Sequence, residues 1–459
     1  MKLGTNLDET TATPVAPLSG HGRKHRPSQP SHAPSHTPGR QRRSGGLWGR
    51  LLTGFLQRSI VKGKLILILP DGKRHEFGLG QPSVTFEITE RATLRRIALN
   101  PDLALGEAYM DGTLRVLDGD IHDLLELCLS NLGGKSGSRL RKTWSELRRL
   151  AKPLTLFNPV RRSRRNVAHH YDLSDELYEL FLDSDRQYSC AYYQSPDQTL
   201  EQAQAQKKRH IAAKLLLEPG QRVLDIGSGW GGLARSLAAD NAVDVTGLTL
   251  SAAQLAYANE QTRAAGLDDR VRFYLRDYRH ERARYDRIVS VGMFEHVGPA
   301  HYATFFNTVA ERLSQDGVAL VHTIGTSSGP CAPGAWINKY IFPGGYVPSL
   351  SEVLPAIENS GLIVTDIEVL RLHYAETLRA WRQRFMANRR EVAEIYDERF
   401  CLMWEFYLAS CEAGFRHNGL EVFQIQLALR NDTVPLTRDY IAAKEHLKLA
   451  VANQTSPSA

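Results

Sequence analysis

The segment Val223-Leu224-Asp225-Ile226-Gly227-Ser228-Gly229-Trp230-Gly231-Gly232 carries the densest chemistry in the chain. An apolar run enters a glycine turn and a helical pattern begins near Leu233; in open α/β sheets a ligand lies against the backbone at such a turn, at the carboxyl end of the first strand. Gly227, Gly229 and Gly232 satisfy the GxGxxG spacing of dinucleotide sites, a pattern that is weak alone. A nicotinamide dinucleotide also needs an acid about 20 residues on to hold its ribose, whereas the second strand here ends in Gly247-Leu248-Thr249-Leu250-Ser251. Asp225, two residues before the first glycine, suits instead the cationic methionine end of S-adenosylmethionine. The third strand ends in Asp277-Tyr278, a carboxylate for an adenine amino group and a ring for its face. These features tilt the reading from NAD to S-adenosylmethionine.

Such a turn must be carried by a sheet. From about residue 166, apolar β runs alternate with helical stretches at Arg222 to Gly227, Asp244 to Leu250, Val271 to Tyr274, Asp286 to Val291, Val318 to Thr323 and Ile363 to Leu370, with a late strand at Phe423 to Leu429. That alternation predicts a parallel sheet with crossover helices, a doubly wound α/β domain over residues 166–459. Ahead of it, Lys64 to Pro70, the stretch ending at Phe77 and Val84 to Ile88 read as strands around an Asp71-Gly72 turn, and Ile121 to Leu129 has helical spacing. Residues 47–134 thus form a small α+β domain. Residues 1–46, rich in Ser, Pro, Gly, His and Arg and nearly free of large apolar side chains, bury too little to offset the entropy of ordering, and a disordered tail is expected. Residues 135–165 hold eleven Lys or Arg against Glu146 alone, with Trp144, Leu147, Leu150 and Ala151 at helical spacing. Such a segment is either a solvated linker or an amphipathic element for an anionic lipid surface.

The 459 residues have the 42% hydrophobic and 23% charged content of a globular protein. No apolar run approaches the roughly 18 residues of a membrane span, and no secretory leader is evident, so a cytoplasmic protein is expected. Cys128, Cys190, Cys331, Cys401 and Cys411 lack CxxC spacing, which predicts neither a disulfide framework nor a zinc site, and no metal is expected.

Six further segments carry a specific likeness: His170-Tyr171-Asp172-Leu173-Ser174, Gln187-Tyr188-Ser189-Cys190-Ala191-Tyr192, Gly247 to Ser251, Phe294-Glu295-His296-Val297-Gly298, His322-Thr323-Ile324-Gly325 and Tyr340-Ile341-Phe342-Pro343-Gly344-Gly345. They resemble the cyclopropane-fatty-acyl-phospholipid synthase family and its mycolic-acid-modifying relatives. Gly106-Glu107-Ala108-Tyr109-Met110-Asp111-Gly112 extends the resemblance into the N-terminal domain of the full-length synthases. The likeness implies a Rossmann-like class I methyltransferase domain that transfers the methyl group of S-adenosylmethionine to a cis double bond of a phospholipid acyl chain, then removes a proton to close a three-membered ring. An alkene is a poor nucleophile, so the chemistry calls for a dry site at close range, with aromatic faces for a cationic intermediate. Tyr171, Tyr188, Tyr192, Tyr193, Trp230, Phe294, Phe342 and Tyr346 stand at the matching places.

By the same resemblance the proton acceptor is a bicarbonate ion held at Glu295, His322, Tyr374, Cys190 and Ile324. Cys411 matches a cysteine often marked as active, although alkene methylation requires no covalent enzyme intermediate. The cofactor positions carried over are Tyr188, Ser189, Val223, Leu224, Asp225, Ile226, Gly227, Ser228, Gly229, Trp230, Gly231, Thr249, Leu250, Ser251, Gln254, Tyr278 and Arg279. The rival readings are the same scaffold yielding a methylene or methyl-branched chain, a small-molecule methyltransferase, and a lipid-binding protein with a dead methyltransferase domain.

The net charge of +7 divides unevenly: the tail to residue 46 carries +5, residues 135–165 carry +10, and the remainder −8. Two positive stretches bracketing the N-terminal domain of an acidic body fit docking to anionic lipid better than a nucleic-acid partner, for which no recognition motif is present. The expected enzyme is peripheral at the inner face of the cytoplasmic membrane, and the family resemblance implies a homodimer.

Overall fold

The computed structural model describes residues 46–132 and 174–445, which fall within one compact unit. The expected tail over 1–46, except for Gly46, the whole basic segment over 135–165 and Tyr171 lie outside the described residues.

Near the N-terminus, β1 (Lys62–Ile68) is followed by β2 (Arg74–Ile88), which folds about it so that Leu65 stands opposite both Phe77 and Val84; β3 (Leu114–Asp118) pairs on the far side of β2. The two extended stretches read separately in the sequence are therefore one continuous bent strand. Helices Gly46–Ser59, Arg91–Leu99, Pro101–Met110 and Ile121–Leu132 pack on this sheet through Leu56, Leu94, Ala104, Leu124 and Leu125.

The larger sheet comprises β4 (Arg222–Ile226), β5 (Asp244–Thr249), β6 (Val271–Leu275), β7 (Tyr285–Val291), β8 (Leu313–Thr326), β9 (Ile363–Val369) and β10 (Leu420–Ala428), in the order β6-β5-β4-β7-β8-β10-β9. Five strands from β6 to β8 run parallel, the inner ones apolar runs covered on both faces and the edge strand β6 alternating buried and exposed residues. The expected wholly parallel sheet is corrected at its far edge: β10 inserts antiparallel between β8 and β9. Its last seven residues are all buried, which an inner position supplies and an edge would not. No helix among the described residues is long and apolar enough to cross a membrane.

The small sheet's helices join the large unit along helix Ile121–Leu132, through pairs such as His122–Glu412 and His417–Glu126, and through the motif Gly106 to Asp111. A Cβ built on Gly106 would lie 2.4 Å from Trp336 Nε1 and 2.8 Å from Phe406 Cε1, so only glycine lets these rings reach the helix. Glu107 accepts from Lys339 Nζ (2.7 Å) and Tyr340 Oη (3.0 Å) and pairs with Arg96, while Asp111 takes Arg399 at 3.0 Å. In an exposed helix, glycine to alanine gains about 1 kcal/mol. Here the sign should reverse: Gly106→Ala is expected to lower unfolding stability in denaturant titration by about 1–3 kcal/mol, the cost of overpacking.

Candidate active site

A cleft opens at the carboxyl ends of β4, β5, β6 and β7, beside the switch point where the chain order reverses between β4 and β7. Of the seventeen expected cofactor positions, Tyr188, Ser189, Asp225, Ile226, Gly227, Ser228, Gly229, Trp230, Thr249, Leu250, Gln254, Tyr278 and Arg279 line it. Four do not. Val223 and Leu224 are buried inside β4, Gly231 turns toward Phe273, and Ser251 caps the helix Ala252–Ala264 by accepting from Gln254 N.

The glycines divide by what they face. A Cβ on Gly227, whose φ is +86°, would strike Met293 at 2.7 Å, and one on Gly232 would strike Asp185 and Gln187 at 2.4 Å. Only Gly229 of the run looks into open space. Most of these glycines therefore admit other parts of the protein, and Gly229 is the one with space beside it for a ligand against the backbone.

Two buried polar atoms in the cleft, Asp225 Oδ2 and Ser228 Oγ, have no hydrogen-bond partner among the described residues. Leaving such atoms bare is costly, so the site fits a polar ligand that meets them. Burial pushes the Asp225 carboxyl up to about 7 against the pull of the Lys207 ammonium. A cationic ligand end would reverse that push, and S-adenosylmethionine carries one. Burial also acts on Asp277, but hydrogen bonds from Arg279 Nε (2.8 Å) and Nη2 (2.7 Å) outweigh it and hold its carboxyl below the ordinary range. Asp277 is thereby already engaged by Arg279.

Lys207 escapes a reading of the sequence because it sits in the polar string Glu201 to His210. Its helix, Leu200–Lys214, nevertheless buries Gln204, Gln206, Lys207 and His210. Lys207 Nζ donates to Gln187 Oε1 and Ser189 Oγ, both at 2.8 Å, and Gln204 Nε2 donates to the Gln187 and Ser189 carbonyls. This polar wall fixes the 187–190 segment along the cleft. Burial brings the ammonium down to about 8, opposed first by the Asp183 carboxylate.

None of the six expected catalytic residues lines the cleft, yet several stand one step behind its wall. Cys190 follows Ser189, Glu295 lies between Met293 and His296, and the His322 carbonyl accepts from Gly292 N at 2.9 Å. Glu295, in a single turn after β7, accepts from Ile324 N on β8 through Oε1 at 2.6 Å. Its Oε2 is buried and unpartnered among the described residues, and burial raises its carboxyl to about 7 despite that hydrogen bond. His322 lies two residues before Ile324 on β8, opposite Gln424 of β10, whose amide nitrogen is 3.1 Å from Nδ1. Burial drives the His322 pKa well below its ordinary value, so the ring is neutral. A Gln424 amide that donates to Nδ1 leaves the ring proton on Nε2.

The Cys190 segment is tied to the Tyr374 helix, His373–Ala387, by Ala191 N to Thr377 Oγ1 and Tyr193 N to His373 Nδ1, both 3.0 Å. Cys411 lies one turn beyond Tyr407 on helix Glu398–His417, and Tyr407 Oη is 2.8 Å from Tyr188 Oη. Burial raises both thiols, Cys411 to about 12, which suits packing rather than nucleophilic attack.

The expected aromatic set divides too. Phe294 packs with Tyr302, Phe305 and Phe306, and Tyr346 donates to Glu352; both serve the core. Tyr192 stacks between His210 and His373. Tyr188 stands instead among Tyr178, Trp381 and Tyr407, with Phe342 on the far side of Tyr407. Trp381 and Tyr407 are additions that no motif announced.

Residues 159–425 match the family model for mycolic acid cyclopropane synthetase, and residues 54–136 match one described as a domain of unknown function. The cyclopropane-fatty-acyl-phospholipid synthase of Escherichia coli K12 is 41% identical over 72% of this chain and 84% of its own length. The tuberculostearic acid methyltransferase UfaA1 of Mycobacterium tuberculosis is 35% identical over 81% and 89% respectively. Among solved structures, the cyclopropane synthase MmaA2 from Mycobacterium tuberculosis matches with a TM-score of 0.56 at 35% identity, covering 59% of this chain and 99% of that one. The mycolic acid cyclopropane synthase CmaA1, solved with SAH and CTAB, matches at 0.55 and 34%, again over 59% and 99%. With its glycine turn, its Asp225 cleft and a family model spanning more than half its length, the chain belongs to the mycolic acid cyclopropane synthetase family of S-adenosylmethionine-dependent methyltransferases.

Proposed function

We propose that the protein is a cyclopropane-fatty-acyl-phospholipid synthase, acting on cis-unsaturated acyl chains of membrane phospholipid with bicarbonate as proton acceptor. One observation carries the reading: the buried, unpartnered Oε2 of Glu295, beside the cofactor cleft and held in place through Ile324 N. A small-molecule methyltransferase has no evident need of a titratable carboxyl sealed in that position.

Bound S-adenosylmethionine supplies the electrophilic methyl group. Asp225 and Ser228 would hold its polar end beside the glycine turn, and Lys207 fixes the Gln187 and Ser189 side of the cleft. Tyr188 on the cleft wall, with Trp381 and Tyr407 packed against it and Phe342 against Tyr407, would offer a cationic acyl chain aromatic surroundings poor in water. Glu295 and His322 fit an anionic proton acceptor, Glu295 through a protonated Oε2 and His322 through Nε2–H. A carboxyl near 7 both gives and takes a proton at neutral pH, so Glu295 can pass on the proton removed from the substrate. Tyr374 and the Cys190 backbone complete that side.

In this reading residues 47–134 present lipid, residues 135–165 and the tail draw the protein to the anionic inner face of the membrane, and two copies pair. The test is incubation with methyl-labelled S-adenosylmethionine and vesicles of cis-unsaturated phospholipid, followed by mass spectrometry of the acyl chains. Label in a cyclopropane ring is expected. Label in a branched chain would promote the reading of a methyltransferase that stops before ring closure, and no label in lipid would sink the proposal. Cys411→Ser should keep turnover within about threefold, because a buried thiol at about 12 supplies no nucleophile.

A further inference from the structure

The helix Gly46–Ser59 has two apolar faces. Gly49 and Leu56 turn inward, with Leu52 half-buried beside them, while Leu47, Leu51 and Phe55, spaced four residues apart, form a stripe on the opposite side that is 57, 52 and 49% exposed. At the helix's end Val61 is 76% exposed, and Leu79, opposite Lys62 in the β1–β2 register, is 86% exposed. Single exposed apolar side chains are ordinary, but a helical stripe continued by two more is a surface that something covers.

Charge identifies the occupant. Residues 10–70 contain ten Lys or Arg and no Asp or Glu, and Arg50, Arg58 and Lys62 of that run are exposed on or beside this helix. An apolar stripe with cationic flanks and no acid is the pattern of a helix lying in the plane of an anionic lipid surface, its apolar side chains in the acyl boundary and its bases among the phosphates. We infer that the outer face of helix Gly46–Ser59 docks the protein on anionic phospholipid membrane, with Leu47, Leu51 and Phe55 inserted and Arg50, Arg58 and Lys62 at headgroup level. The inference rests on reading the substrate as a membrane phospholipid. It adds the surface by which the small domain meets the membrane.

The test compares the full chain with the variant Leu47→Ser/Leu51→Ser/Phe55→Ser by co-sedimentation with phosphatidylglycerol-containing vesicles, alongside turnover on detergent-dispersed cis-unsaturated phospholipid. Partition should fall about tenfold or more, the scale set by withdrawing three half-exposed apolar side chains from lipid, with detergent turnover and unfolding midpoint unchanged. Three results would overturn the inference: undiminished partition, a lowered unfolding midpoint that marks the stripe as covered by this chain, or loss of a wild-type dimer that marks it as a contact between copies. Absence of labelled lipid from the wild-type protein in both assays would instead overturn the proposed activity, leaving the partition result to stand separately.

Discussion

Glu295→Gln should lower turnover by about 10²- to 10³-fold, the usual worth of a positioned proton-transfer group, while leaving S-adenosylmethionine affinity within about twofold. The substitution keeps the size of the side chain and an oxygen to accept from Ile324 N, so the 2.6 Å hydrogen bond that anchors position 295 survives. What the amide lacks is a proton to exchange. Burial has placed the Glu295 carboxyl near 7, where both protonation states are populated at neutral pH, and glutamine removes that equilibrium without opening a cavity. Glu295 lies behind the cleft wall rather than on it, which is why cofactor binding should be spared. Single-turnover chemistry and equilibrium cofactor binding, measured on one preparation, separate the two roles. Equal loss of both would make Glu295 a structural support of the cleft.

How much of this arrangement could be read from the chain depended on how local each feature is. The inner strands of the large sheet were legible because parallel strands covered on both faces must be continuous apolar runs, and the glycine turn because φ near +86° at Gly227 narrows the choice of residue. The place of β10 was not legible. It follows from pairing across about a hundred residues, and no local pattern encodes whether a late strand joins an edge or inserts antiparallel. Gln424 was invisible for the same reason, since it matters only because that register sets it opposite His322. Lys207 was hidden differently: a string of Gln, Lys, Arg and His reads as a solvated helix face. Here those side chains are buried because each finds a partner elsewhere in the fold: Gln204 and Lys207 in residues 187 and 189, His210 in Glu368 and Glu445. Family resemblance placed Glu295, His322 and Ile324 within one neighbourhood, but gave no hint that none of the six expected catalytic residues lines the cleft.

Asp225→Asn should weaken S-adenosylmethionine by about 10- to 100-fold at pH 8, the scale of one charge-assisted contact in a buried site, and should abolish the pH dependence of that affinity. In the unliganded wild-type protein burial holds the Asp225 carboxyl near 7, so below that pH it is mostly neutral. A cationic ligand favours the carboxylate, and its binding must then expel the proton. Wild-type affinity should therefore rise with pH by up to about tenfold per unit below 7 and level off above it, whereas the asparagine variant stays flat. Stability should move the other way. A carboxyl raised from its ordinary value to about 7 costs the folded state as pH climbs through that interval, because the unfolded chain ionises freely while the buried group resists. At pH 8 the unliganded Asp225→Asn protein should consequently unfold at a higher temperature than wild type while binding cofactor more weakly. Lys207→Met tests the electrostatic source of both effects. Without its ammonium the Asp225 carboxyl loses the charge that opposes its desolvation, so the levelling of cofactor affinity should shift to higher pH. A variant that merely disordered the Gln187 and Ser189 wall would weaken binding equally at every pH, and a rigid vertical offset of the profile would reassign Lys207 from electrostatic to purely structural support.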